Sequence, residues 1–115
     1  MARLSAVDYR KIRDYVYQIT ENQAYPTMDG VQIGPLKEAT DSLKKLEWMV
    51  PGNPLIIKAR IEHQRLLELA SLIVTLCRQR EYDVAHMLVG KVDVILREIG
   101  SLEQSIQEQL SDKAN

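Results

Sequence analysis

The chain has 115 residues, 15 of them basic and 16 acidic, which is enough for one cored domain and too little for two. A net charge of −1 gives no general attraction to nucleic acid or to an anionic membrane, and a single cysteine excludes an internal disulfide and fits a reducing cytoplasm. Few glycines and prolines, no phenylalanine and an abundance of Leu, Ile, Glu, Gln, Lys and Arg predict an all-α fold. Residues 1–115 are expected to form a single helical domain. Its four-helix bundle has two short N-terminal helices and a long antiparallel C-terminal αα-hairpin, with helices at about 5–24, 35–50, 54–79 and 83–110 and a loop at 25–34.

The first helix is expected to begin at Ser5, whose hydroxyl caps the following amides, with Asp8 completing a box-like pair and Leu4 stapling onto Tyr9. Tyr9, Ile12, Val16 and Ile19 recur at spacings of three and four and form one apolar stripe. Arg10, Lys11 and Arg13 lie off that stripe, as a solvated face or a site for a small anion or partner. Charged residues from Met1 to Tyr17 leave no apolar signal-peptide core, so the expected location is cytoplasmic.

Tyr25-Pro26 is expected to close this helix, because the residue before proline avoids the helical region. Asp29-Gly30 then reads as a tight turn or small hairpin. Met28, Val31 and Ile33 around it either plug one end of the bundle or meet a partner.

Gly34-Pro35 opens the second helix, whose stripe is Leu36, Ala39, Leu43, Leu46, Met49 and Val50. Trp48 falls beside it, as a wall of the core or as an interface anchor. Pro51-Gly52 stops the helix, and Asn53-Pro54 caps and starts the third. There Ile56, Ala59, His63, Leu66, Ala70, Ile73 and Cys77 follow a three-four spacing. Nine of the twelve residues from Leu66 to Cys77 are apolar, so neighbours must cover this segment from several directions. It is too short to span a membrane, which takes about 20 apolar residues. His63, on the seam, reads as a hydrogen-bonded core histidine.

Asp83 is the expected cap of the fourth helix. Ala85, Leu88, Val92, Ile95, Ile99, Leu102 and Ile106 then keep a heptad seam, with the helix reaching about Leu110. Gly90 and Gly100 interrupt it, and close helix approach is the expected compensation. Ile99, Leu102, Ile106 and Leu110 have only Leu55, Ile56, Ile57, Ala59 and Ile61 across the hairpin. Unless the first two helices cover that end, they remain as an apolar stripe for a partner.

Two local resemblances concern the turn before the fourth helix. Glu81-Tyr82-Asp83-Val84-Ala85, with Leu76 upstream, resembles the turn between the two helices of a tetratricopeptide unit, which implies an αα-hairpin. No second copy stands at that family's repeat period. Arg80 and His86, with five residues between them, resemble the Arg-x4-6-His element of HEPN-type ribonucleases, whose small helical bundles pair two such elements across a dimer. That resemblance implies His86 as acid or base and Arg80 as phosphate stabiliser in metal-independent RNA cleavage. The residue after Arg80 is Glu81, an anion where RNA would lie.

Two histidines at unrelated positions and one apolar-flanked cysteine make no metal-ligand spacing, and no Gly-rich phosphate loop or nucleophile elbow occurs. No cofactor, metal or small-molecule substrate is therefore expected. The function expected is a non-catalytic helical interaction or assembly subunit, such as an adaptor, chaperone-like or structural component, binding a protein partner or itself as a homo-oligomer. Its expected interface is Ile99, Leu102, Ile106, Leu110, Trp48, Met28, Val31 and Ile33. The alternatives are the ribonuclease and a small nucleic-acid-binding regulatory bundle.

Overall fold

The computed structural model describes residues 9–24, 26 and 33–114, with side chains in the last stretch described for 35–109. Four helices account for most of them: α1 (Tyr9–Glu21), α2 (Ile33–Met49), α3 (Pro54–Arg78) and α4 (Tyr82–Ala114). The expected Ser5 cap and Asp29-Gly30 turn lie outside the described residues.

Asn53 starts α3 as the sequence predicts. Its side-chain oxygen accepts from the amides of Leu55 at 3.0 Å and Ile56 at 3.3 Å, and Pro54 occupies a position whose missing amide has no helical partner to lose. The amide of the same side chain donates to Gln109 Oε1 at 2.8 Å, which fastens the start of α3 to the far part of α4. At the other end, the Arg80 amide donates to the Cys77 carbonyl at 3.1 Å and the Glu81 amide to that of Leu76 at 2.8 Å. This is a Schellman closure with Arg80 left-handed at φ 61°. The two long helices thus form the antiparallel αα-hairpin, and α4, 33 residues long, matches the 51 Å long axis of the molecule.

Four helix limits differ from the sequence expectation, one of them the end of α4, which runs to Ala114 and not to Leu110. Proline does not end α1. Gln23 adopts a left-handed φ of 51° and the Ala24 amide returns to the Ile19 carbonyl at 3.1 Å, so the chain leaves the helix before Tyr25-Pro26. Pro35 falls within the first turn of α2, where its amide is not needed. Glu81 takes the capping position of α4, its carbonyl accepting the Ala85 amide at 3.0 Å, and Asp83 sits inside the first turn.

The core runs along the hairpin. All seven residues of the α3 spacing from Ile56 to Cys77 are buried. Around the Leu66–Cys77 segment they meet Ile12, Val16 and Ile19 of α1, Leu36 and Ala39 of α2, and Ala85, Val89 and Val92 of α4, so this segment is covered from several sides. Leu72, 46% exposed, is its one exposed apolar residue. At the Asn53 end a second cluster joins Leu43 of α2 to Ile56 and Ala59 of α3 and to Leu102 and Ile106 of α4. Helix α1 lies against α4 and α3, and α2 lies mainly against α3.

The two glycines of α4 do not mark close packing within the chain. A Cβ at either Gly90 or Gly100 would meet no atom within 4 Å outside its own stretch of helix. The sequence expectation of helix approach at Gly100 is therefore corrected. Each glycine leaves α4 about 1 kcal/mol less stable than alanine would, without an internal return.

Candidate interaction surface

Trp48 is 87% exposed and Met49 78% exposed, at the last turn of α2. The cause is local. Leu36, Ala39, Thr40 and Leu43 turn inward, and Leu46 and Val50 complete that face half-buried. Met49 precedes Val50 by one residue, about 100° around the helix, and so points away from the core it was expected to join. Pro51 and a left-handed Gly52 (φ 79°) then turn the chain toward α3. Lys44, Glu47, Trp48, Pro51, Gly52 and Arg60 line an open concavity of about 610 Å³. Glu47 of α2 and Arg60 of α3 form a half-buried ion pair across it.

The expected apolar stripe is placed differently. Ile99 and Ile106 are fully buried and Leu102 is 6% exposed. Leu102 and Ile106 cluster with Leu43 of α2, and Ile99 belongs to the cluster that α1 joins, so all three are held within the chain and offer no surface to a partner. Leu110, Met28, Val31 and the side chain of Ile33 lie outside the described residues. Among the described residues of the expected interface, Trp48 is the one that the structure leaves open to solvent. Other large apolar side chains do reach solvent on α4, namely Met87 (78%), Val94 (63%) and Val84 (45%), which sequence reasoning passed over because they lie off the heptad seam.

Polar side chains inside the bundle are satisfied. Among the described residues no buried side-chain nitrogen or oxygen lacks a partner. Tyr9 Oη lies 2.7 Å from His63 Nε2 and donates to Glu103 Oε1 at 2.8 Å, while His63 Nδ1 lies 2.8 Å from the Ala59 carbonyl. A carbonyl can only accept, so His63 carries its proton on Nδ1 when neutral. Burial holds the His63 pKa below its ordinary value, against the opposing pull of the Ala59 carbonyl and the Glu103 carboxylate. His63 is therefore a hydrogen-bonded core histidine, closed to solvent. Burial likewise pushes the Cys77 thiol up, which leaves it a core residue rather than a reactive thiolate.

Along the neighbouring edge, Arg13 Nε donates to Asp93 Oδ1 at 2.9 Å and Tyr17 Oη to Asp93 Oδ2 at 2.5 Å. The Arg13 guanidinium stands 5.5 Å from the centre of the Tyr17 ring. The bond to the Asp93 carboxylate raises the Tyr17 pKa. Arg13 thus pins α1 to α4. It also borders an open concavity of about 400 Å³ with Tyr9, Arg10, Asp93, Leu96 and Arg97.

Arg80 and His86 are both exposed, Arg80 in the left-handed turn and His86 in the second turn of α4. His86 Nδ1 lies 3.4 Å from Thr20 Oγ1. The threonine hydroxyl is committed to the Val16 carbonyl at 2.7 Å, so the imidazole is the donor to Thr20. Among the described residues no three His, Cys, Asp or Glu side chains gather into a metal site, and no helix is long and apolar enough to cross a membrane. Comparison of the chain with protein-family models, with curated proteins and with solved structures finds no match.

Proposed function

We propose that the protein is a non-catalytic interaction subunit of the cytoplasm that docks another protein through the Trp48–Met49 end of α2. The observation that carries this reading is the exposure of Trp48, because a water-facing indole beside a thioether is unfavourable for a free surface and is enriched at the centres of interfaces. Lys44 and Lys45 flank the pair, and Glu47 is already matched by Arg60, so the local field is positive. The surface suits a partner with an apolar slot rimmed by carboxylates. An adaptor or structural component of a larger assembly needs no more chemistry than this.

Trp48 is the single tryptophan of the chain, which supplies the test. Free protein is expected to emit as a water-exposed indole, and addition of host extract fractions is expected to shift that emission to shorter wavelength. Trp48→Ala should abolish the retention of the responsible protein on an affinity column at unchanged helical circular dichroism. Equal retention by the variant would reject this surface. The alternative, a metal-independent ribonuclease, draws on Arg80 and His86 both facing solvent at the same end of the hairpin. It requires cleavage of single-stranded RNA in chelator and its loss in His86→Ala.

A further inference from the structure

Gly90 weakens the interior of α4, and no packing within the chain accounts for it, since a Cβ there would meet no atom within 4 Å. Its neighbours on the helix surface are the ones that carry exposed apolar side chains. Met87 stands one turn before it and Val94 one turn after, 78% and 63% exposed, and Val84 extends the stripe. This face is opposite the one that buries Ala85, Val89, Val92 and Ile99. A backbone stripped of its side chain between two exposed apolar residues is what a closely approaching helix needs.

The charges on the same face identify the occupant. Lys91 precedes Val94 by three residues and Glu98 follows it by four, both along this stripe. We propose that α4 docks against α4 of a second copy, antiparallel, about a two-fold axis close to Val94. A two-fold interface must be self-complementary, because every contact occurs twice. Reversing one helix over the other midway between Val94 and Ile95 sets each Lys91 beside the second copy's Glu98, whereas a parallel pairing would set like charges together. Glu98 also holds Lys58 of its own chain at 3.1 Å, and a carboxylate has acceptor capacity for both. Gly90 then lies about one turn from the axis, where the absence of a side chain leaves room for the second copy's helix, flanked by Met87. The stretch from Val84 to Ser101 is about 27 Å long, at the small end of specific interfaces, so dissociation on the order of micromolar is expected. This face is separate from Trp48, which sits at the far end of the bundle beside the start of α3.

The test is the mass of the full-length protein by sedimentation and light scattering, from about one to several hundred micromolar. A monomer–dimer equilibrium is expected. Val94→Lys should leave only monomer, and so should Gly90→Gln, whose monomer should nevertheless melt a few degrees higher because a helix-interior glycine has been removed. Lys91→Glu should weaken the dimer at least tenfold, and Lys91→Glu combined with Glu98→Lys should restore it. Trp48→Ala should leave the dimer intact, so failure of the surface proposed for another protein does not touch this one. A monomer throughout the range overturns the proposal. So does a dimer that survives both Gly90→Gln and Val94→Lys, or a charge-swapped variant as weak as the single reversal.

Discussion

The hydroxyl of Tyr9 stands 2.7 Å from Nε2 of His63, with the two rings edge to face at 71° and centres 5.8 Å apart. Tyr9 is 54 positions away along the chain, and Glu103, which the same hydroxyl also touches at 2.8 Å, is a further 40 beyond His63. The hydroxyl has one proton for two neighbours. With His63 neutral and its proton directed at the Ala59 carbonyl, both Nε2 and the Glu103 carboxylate depend on that single O–H. One side chain of α1 therefore bridges α3 and α4.

Tyr9→Phe keeps the ring and deletes the shared donor. Fully buried His63 loses its Nε2 partner, and stability should fall by about 1–3 kcal/mol, the cost of an unsatisfied buried polar group. Urea unfolding followed by circular dichroism checks this. A loss below about 0.5 kcal/mol would show that water replaces the hydroxyl.

Acid should weaken the fold through His63. Its folded pKa is held below the ordinary 6.5, so between the two values the unfolded chain binds the extra proton. Stability from this group is present above about pH 6.5 and is lost as pH falls through the folded value. His63→Leu removes the titrating group while the Tyr9 hydroxyl keeps Glu103 as acceptor, so its stability should be flatter between about pH 7 and 5. Parallel declines in the two proteins would remove His63 as the cause.

Leu43 is the lid over the Asn53 end of the core. Leu43→Ala should cost about 2–4 kcal/mol and open a cavity against Leu102 and Ile106. Hydrogen exchange offers the specific reading. Amides of α4 from about residue 102 to 109 should exchange faster than those near Ala85, because Leu43 belongs to the cluster around Leu102 and Ile106 and not to the one that Ala85 joins. Uniform acceleration along α4 would contradict the division of the core into these two clusters.

Arg80 closes α3 with a left-handed φ of 61° that an L side chain adopts with strain. Arg80→Gly should stabilise the fold by about 0.5–1 kcal/mol, the Schellman bonds being made by backbone alone. Thermal melts decide it. Under the ribonuclease alternative the same variant also loses RNA cleavage, so stability and activity move in opposite directions.

Local chemistry along the chain determined the secondary structure. Asn53-Pro54 started α3 and the three-four spacing of Ile56 to Cys77 named its buried face, because caps and periodicity act within one or two turns. Even there, the left-handed closures at Gln23 and Arg80 were illegible, since neither residue is the glycine that usually announces one. The tertiary structure alone decided what covers each face. Periodicity showed that Leu102 and Ile106 would be buried by something, and an outside partner answered that pattern as well as Leu43 did. It likewise counted Met49 inward. Met87 and Val94 lie off the seam, and only their exposure sets them beside Gly90 on one open face. Hydrophobic burial is non-directional, so a sequence specifies how much apolar surface must be hidden, while the contacts between distant segments select which residues do the hiding and which remain for a partner.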